Sequence, residues 1–165
     1  MSANSRMTVA VHILSFILLW EQKRPEPATS ERIAKSVNTN PVVIRRLLGL
    51  LQKGGLVKSQ RGVKAGWRLA KRPTAITLLD VYKAVEDAPL FALHASPPNP
   101  QCPIGRGVQP ALKKVYGALE TQLRQRLLRT TLAQVRARQA QQHAHCGAPA
   151  VVVAALAGGP EAYPL

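Results

Sequence analysis

The sequence predicts a mainly α-helical protein with one small β-hairpin and a long helix in its second half. Apolar residues recur at helical spacing in several segments, and turn residues separate these segments from one another. Two strand-like stretches between residues 56 and 69 flank a turn that contains glycine. At 165 residues and 46% hydrophobic content, the chain is long enough to bury a core.

The first predicted helix covers the apolar run 7–20. This run is shorter than the roughly 20 apolar residues of a membrane-spanning helix, and His12 and Ser15 interrupt it. We therefore expect a buried helix, neither a membrane anchor nor a signal peptide. Because nearly all sides of the helix are apolar, its own domain and a partner subunit are both expected to cover it. His12 is interpreted as a structural histidine.

The charge is strongly basic and unevenly distributed. The chain has 23 Lys and Arg against 8 Asp and Glu, a net charge of +15. Residues 1–75 hold 14 of the basic residues and only 3 of the acidic ones. This concentration is typical of proteins that neutralise nucleic-acid phosphates, with an acidic membrane surface as the competing partner. The two cysteines exclude a disulfide framework and favour a reducing, cytoplasmic location.

A helix-turn-helix follows the first helix. Thr29 can cap a short helix over 30–37, and Asn40 with Pro41 can begin a second helix over 41–53. The second helix has leucine and isoleucine on one face and a basic opposite face, an arrangement that places a recognition helix in the major groove of DNA. The candidate recognition residues are Asn40, Val42, Arg45 and Arg46.

The predicted hairpin comes next, with strands near 56–59 and 67–69 and a basic tip. A hairpin after a recognition helix is a wing, which lies against the minor groove or the phosphates. We interpret Trp67 as a packing residue. The candidate DNA-binding residues of the wing are Lys58, Arg61, Lys64 and Arg68.

The second half predicts a short helix from Thr77, an irregular loop over 89–107 that contains Cys102, and a long helix from Val108 to about Leu128. The long helix is interpreted as a dimerisation element. Thr131 and Gln134 have the spacing of a capping box and predict a final short helix. The expected organisation is a winged helix-turn-helix DNA-binding domain over 1–76, a dimerisation region over 77–138 and a disordered tail over 139–165.

The sequence shows no pattern typical of an enzyme or a metal site. No phosphate-binding glycine loop, nucleophile elbow or paired carboxylates are present. His143, His145 and Cys146 could in principle bind a metal, but three ligands in a tail are interpreted as incidental. An enzyme with Cys102 as nucleophile and His94 as base ranks last among the functions considered.

Several motifs together carry a resemblance to a known family. They are Glu31-Arg32-Ile33-Ala34, Asn40-Pro41-Val42-Val43-Ile44-Arg45-Arg46-Leu47-Leu48, Gly55-Leu56-Val57-Lys58-Ser59, Arg61-Gly62, Gly66-Trp67-Arg68-Leu69-Ala70 and Ile76-Thr77-Leu78-Leu79-Asp80-Val81. The chain resembles the Rrf-two (Rrf2) family of bacterial winged-helix transcriptional regulators over about residues 5–136. The resemblance implies a homodimer whose long helices cross, with recognition helices in the major groove and wings in the minor groove.

The chain departs from the family pattern in its cysteines. Cluster-binding members carry three cysteines around the loop before the long helix, whereas this chain has only Cys102 there. We therefore expect no iron-sulfur cluster or other cofactor and a similarity to the cluster-free, single-cysteine branch. Cys102 is either a redox-sensing thiol or a small packing residue.

The leading expectation is a cytoplasmic, homodimeric, sequence-specific regulator of transcription that represses by occupying a palindromic operator in double-stranded DNA. It includes a response to oxidation of Cys102 as one option and leaves the effector unidentified. The alternative is an accessory protein that binds nucleic acid without sequence preference, which the charge alone would also explain.

Overall fold

The computed structural model describes residues 3–62, 64–86, 91–93 and 95–145. A short 3₁₀ helix lies at Pro73–Ala75. The other elements are α1 (Ala3–Lys23), α2 (Ser30–Val37), α3 (Pro41–Lys53), β1 (Val57–Gln60), β2 (Gly66–Leu69), α4 (Leu78–Val85), α5 (Pro103–Leu128) and α6 (Leu132–His145). This architecture confirms the predicted fold class, because helices dominate and the two strands form a single antiparallel hairpin.

Helix α1 forms the centre of the core. It packs against α2, α3, α4, α6 and β2, and Ile13, Leu14 and Ile17 are completely buried. At its end, the Trp20 indole donates a hydrogen bond of 2.9 Å to the carbonyl oxygen of Glu26. Within the described ranges, no helix combines the length and the apolarity needed to cross a membrane.

The helix-turn-helix forms where the sequence predicts it. The Thr29 hydroxyl accepts a hydrogen bond from the backbone N–H of Arg32, and the Asn40 side chain accepts one of 2.8 Å from Val42. Between the helices, Asn38 adopts a φ of 55°, a left-handed conformation that asparagine tolerates well. The side chains of α3 that face the core are Ile44, Leu47, Leu48 and Leu51.

The hairpin is attached to the segment between α1 and α2. Ala28 and Trp67 exchange two backbone hydrogen bonds, of 3.1 and 2.8 Å, which extend the hairpin by one bridge. A Cβ atom on Gly66 would lie 2.8 Å from the Cβ of Pro27, so only glycine fits at this position. The wing is therefore held close to the first helix.

Two boundaries in the second half differ from the expectation. Helix α5 begins at Pro103, five residues before Val108, and Cys102 is its N-cap instead of a residue inside a loop. The many prolines and glycines near this point suggested a loop, but proline is well accommodated at the first position of a helix.

Helix α6 begins after Thr131 as predicted, and its capping box forms, with hydrogen bonds of 2.9 and 3.3 Å between Thr131 and Gln134. It continues through the backbone of His145, so residues 139–145 are helical and not part of a disordered tail. Alanine and glutamine, both good helix formers, dominate this stretch. The expectation for the rest of the tail, and Cys146 of the metal alternative, lie outside the described residues.

Backbone hydrogen bonds join the start of α4 to the start of α6. The backbone N–H of Leu78 donates to the carbonyl of Thr130, and Leu132 donates to Ile76, each at 2.8 Å. Thr77 caps α4 in a reciprocal box in which the Asp80 carboxylate accepts from the Thr77 backbone N–H at 2.9 Å and from its hydroxyl at 2.7 Å. This box fixes the junction between the half of the chain that contains the helix-turn-helix and the second half.

Replacing Asp80 with alanine should lower the free energy of unfolding by about 1 kcal/mol at neutral pH, because two hydrogen bonds of the cap are lost. Burial alone would raise the pKa of Asp80, but the hydrogen bonds from Thr77 outweigh it and hold the pKa below its ordinary value of 3.8. The stabilisation is therefore present above about pH 4 and is lost as the pH falls through the folded pKa. Urea denaturation at several pH values checks this, with Lys53→Ala, at an exposed site, as the control; a constant difference from pH 7 to pH 2 would contradict it.

Candidate nucleic-acid interface

The outward face of α3 presents the predicted recognition residues together. The Val42 side chain is 62% exposed, and Arg45 and Arg46 are also exposed. Asn40 lies at the same end, where its side-chain oxygen caps the helix and its amide NH₂ remains as a donor. The leucine stripe of α3 is buried in the core. The basic residues lie on the opposite side of the helix and therefore face outward.

Arg45 has an acidic neighbour that the sequence analysis did not identify as its partner. The Glu31 carboxylate, on α2, accepts a hydrogen bond from Arg45 Nη1, with 3.2 Å between Nη1 and Oε1. The Ser30 hydroxyl donates to the same oxygen at 3.0 Å. The backbone N–H of Glu31 and the Ser30 hydroxyl hold the pKa of this carboxyl below its usual range.

The sequence indicates this ion pair only weakly, because the two residues are 14 positions apart on different helices. Sequence spacing identifies partners three or four positions apart on one helix. Only the crossing of α2 over α3 brings Glu31 to Arg45. Glu31 is nevertheless distinctive in the sequence, because it is the only acidic residue between positions 30 and 53.

The wing contributes three exposed cations and one that is engaged within the fold. Lys58, Arg61 and Lys64 are exposed, whereas Val63 lies outside the described residues. Arg68 is half-buried, and its guanidinium donates to the carbonyl of Pro25 and to the side-chain oxygen of Gln60. Arg68 therefore fastens the wing to the segment after α1, while the other three cations face solvent.

The wing is also linked to α3. The Gln52 amide of α3 donates to the Ser59 hydroxyl of β1 at 3.2 Å, and the backbone N–H of Leu56 donates to the carbonyl of Leu51 at 2.9 Å. A DNA-binding surface loses affinity when its parts must be ordered on binding. These contacts set the positions of helix and hairpin before any ligand arrives.

Cys102 belongs to a separate part of the molecule. It lies at the N-cap of α5, with its backbone N–H 3.2 Å from the carbonyl oxygen of Asn99, and its side chain is half-buried. His94, the partner that an enzymatic use of this thiol would need, lies outside the described residues.

Comparisons with known proteins agree on one family. The Rrf2 family model, described as an iron-dependent transcriptional regulator, matches residues 3–138. YwnA, assigned as an HTH-type transcriptional regulator in Bacillus subtilis (strain 168), is 44% identical over 133 residues, 80% of this chain and 95% of YwnA. A crystal structure described as that of a DNA-binding protein has 37% identity and a TM-score of 0.62, covering 79% of this chain and 97% of the other.

The fold also matches CymR of Bacillus subtilis, described as its global cysteine regulator. The TM-score is 0.61 at 22% identity, with 84% of this chain and 96% of CymR covered, so this likeness concerns the fold alone.

The part of the chain that the structure describes provides no group of residues suited to the iron named in the family description. Iron-sulfur clusters are held by several cysteine thiolates, and the sequence has two cysteines in all. Cys102 is the single cysteine among the described residues, and these residues contain no group of three His, Cys, Asp or Glu that could hold a metal ion.

The family model spans most of the chain, and the relatives are transcriptional regulators, which confirms the predicted family and the prediction that the chain is not an enzyme. The structure has the capped helix-turn-helix, the basic outward face and the attached hairpin that are typical of winged-helix proteins. The chain belongs to the Rrf2 family of helix-turn-helix transcriptional regulators.

Proposed function

We propose that this protein is a cytoplasmic, homodimeric repressor that binds a palindromic operator in double-stranded DNA and needs no metal or cluster to do so. The observation that carries the proposal is the outward face of α3, where Val42, Arg45 and Arg46 stand exposed at the start of a capped helix. Residues 1–76 serve as the DNA-binding domain and residues 77–138 as the dimerisation region.

The chemistry of this face fits base reading in the major groove. An arginine can donate two hydrogen bonds to guanine, and the methyl groups of valine can contact the methyl group of thymine. One of the two arginines reads guanine and the other holds phosphate. The exposed wing cations Lys58, Arg61 and Lys64 add affinity that depends little on sequence.

Selection of duplexes from a randomised pool tests the proposal directly. We expect the protein to enrich a two-fold symmetric sequence and to bind it at least about 10³-fold more tightly than a scrambled duplex of equal length. Equal, steeply salt-dependent affinity for both duplexes would instead support the accessory protein that binds nucleic acid without sequence preference.

On the selected duplex, Arg45→Ala should cost about 1–3 kcal/mol and relax the preference at one base position in each half-site. Lys64→Ala should weaken binding to every sequence alike and reduce the slope of log affinity against log salt by about one. Titrations at several salt concentrations on single-base variants of the duplex measure both effects. Equal losses on the selected and scrambled duplexes for both variants would refute this division of roles.

Helix α5 supports the homodimer. It has 26 residues, none of them buried, although Ile104, Leu112, Val115 and Leu119 lie on one face and are 78%, 37%, 53% and 41% exposed. A helix with an exposed apolar stripe is stabilised by packing that stripe against another surface. A second copy of α5 offers a matching stripe through two-fold symmetry, and such a dimer would place two recognition helices on two half-sites.

Replacing Leu119 with arginine should therefore separate the subunits, because it places a charge in the proposed apolar interface. We expect L119R to sediment as a single chain of 17.9 kDa and to lose about tenfold or more in affinity for the selected duplex. Thr121→Arg, exposed on the far side of the same helix, is the matched control and should remain dimeric. A wild-type protein that sediments as one chain at micromolar concentration would contradict the dimer.

The proposal includes a response to oxidation at Cys102. Cys102 occupies the N-cap position of α5 and its side chain is half-buried, so oxidation would add polar oxygen atoms at the start of the proposed dimerisation helix. Peroxide should change the affinity of the wild-type protein for the selected duplex by about threefold or more. C146S should respond in the same way and C102S should not. An unchanged titration, with oxidation of Cys102 confirmed by mass, would mean that Cys102 is a packing residue.

A further inference from the structure

The two exposed arginines of α3 differ in their surroundings. Arg45 is paired with Glu31, whereas Arg46, one position on, has no ion pair within the described residues. Among the charged side chains of α2 and α3, Glu31 is the single acid beside five cations. These cations are Arg32, Lys35, Arg45, Arg46 and Lys53. An acid in this position requires an explanation, since it opposes the attraction of the domain for phosphate.

Stability does not provide a sufficient explanation. The side chains of Arg45 and Glu31 are 54% and 59% exposed, and an ion pair this exposed contributes only about 0–1 kcal/mol. The core contacts of α2 and α3 are made by their apolar faces. The pair therefore has more effect on the position of the Arg45 guanidinium than on the stability of the fold.

The carboxylate is itself well fixed. Glu31 lies in the first turn of α2, where the helix dipole favours a negative charge. The Ser30 hydroxyl donates to the same oxygen that accepts from Arg45. A fixed carboxylate that engages one Nη atom restricts the rotamers of Arg45 and leaves the other guanidinium donors for a ligand.

This arrangement affects the two kinds of DNA contact in opposite ways. A guanidinium that is already oriented loses less freedom when it donates to the two acceptors of guanine. The same carboxylate repels a phosphate that approaches Arg45. Binding to random DNA, which relies on phosphate contacts, is weakened, while binding to a site with the correct guanine is maintained.

We propose that Glu31 is a positioning residue that acts through Arg45 to set sequence selectivity. It assigns Arg45 to guanine and leaves Arg46 as the phosphate contact. This inference rests on the proposed function, because it concerns how the same recognition helix distinguishes its operator from other DNA.

The test compares the wild-type protein with E31Q, E31D, R45A, R46A and E26Q by selection from one randomised duplex pool, followed by titration on the wild-type selected duplex and its scrambled form. E26Q is the matched control, because it also removes one acidic side chain that forms an ion pair. Glu26 lies before α2 and pairs with Arg24 at 4.0 Å. Circular dichroism establishes that each variant is folded. E31D retains the negative charge at the start of α2 but is one methylene shorter and cannot reach Arg45 in the same geometry.

We expect E31Q to bind the scrambled duplex about fivefold more tightly and to lose about fivefold of its preference for guanine at the position that R45A identifies. Its salt slope on scrambled DNA should become steeper by about one, as Arg45 becomes free to contact phosphate. E31D should lose the same guanine preference while its affinity for scrambled DNA stays within about twofold of wild type. R46A should weaken both duplexes alike, and E26Q should match wild type.

The inference is overturned if the wild-type protein enriches a sequence and E31Q enriches the same one with unchanged preference at every position. It is also overturned if E31D retains the full guanine preference, because charge without contact would then be sufficient. If the wild-type protein enriches no sequence at all, the proposed function fails and this inference fails with it.

Discussion

The burial of α1 is the constraint on which the rest of the structure depends. Ile13, Leu14 and Ile17 are completely enclosed, and burying each such side chain contributes roughly 1.5–3 kcal/mol. Helices α2, α3, α4 and α6 and strand β2 all pack against this one helix. Because each neighbour turns its apolar side toward α1, its polar side must face outward, and the basic face of α3 is exposed for this reason.

The wing depends on the same centre. A two-stranded hairpin is marginally stable by itself in water. Here the backbone of Trp67 pairs with Ala28, the Leu69 N–H donates to the Glu21 carboxylate at 3.0 Å, and Arg68 donates to the carbonyl of Pro25. All three contacts lead to the end of α1 or the segment that follows it. The core thus fixes the position of the wing relative to α3, the proposed recognition helix.

Helix α5 contrasts with this well-covered core. Within one chain its apolar stripe is exposed, and Cys102 is the N-cap residue immediately before its first turn. In the proposed dimer, the exposed apolar stripe of α5 in each subunit packs against the same stripe of the other subunit. A chemical change at Cys102 would then act on the element that sets the distance between two DNA-binding domains, which is the quantity that half-site spacing measures.

The sequence by itself determined most of the fold and part of the site. The caps at Thr29, Asn40 and Thr131, the buried stripe of α3 and the exposed Arg45 and Arg46 were all predictable. Local signals are sufficient for such features, because a cap or an amphipathic face depends on residues within about one helical turn. Local signals also led to a wrong prediction for the start of α5. Proline and glycine there suggest a loop, although proline is also suited to the first turn of a helix.

Only the tertiary structure decided which charged side chains meet. It placed Glu31 against Arg45 across two helices and turned Arg68 inward to the carbonyl of Pro25, so that cations predicted to be alike have different surroundings. Contacts between residues 14 or 43 positions apart follow from how helices cross and where a hairpin lies. Those angles are set by the packing of the whole core around α1, which no local pattern of residues encodes.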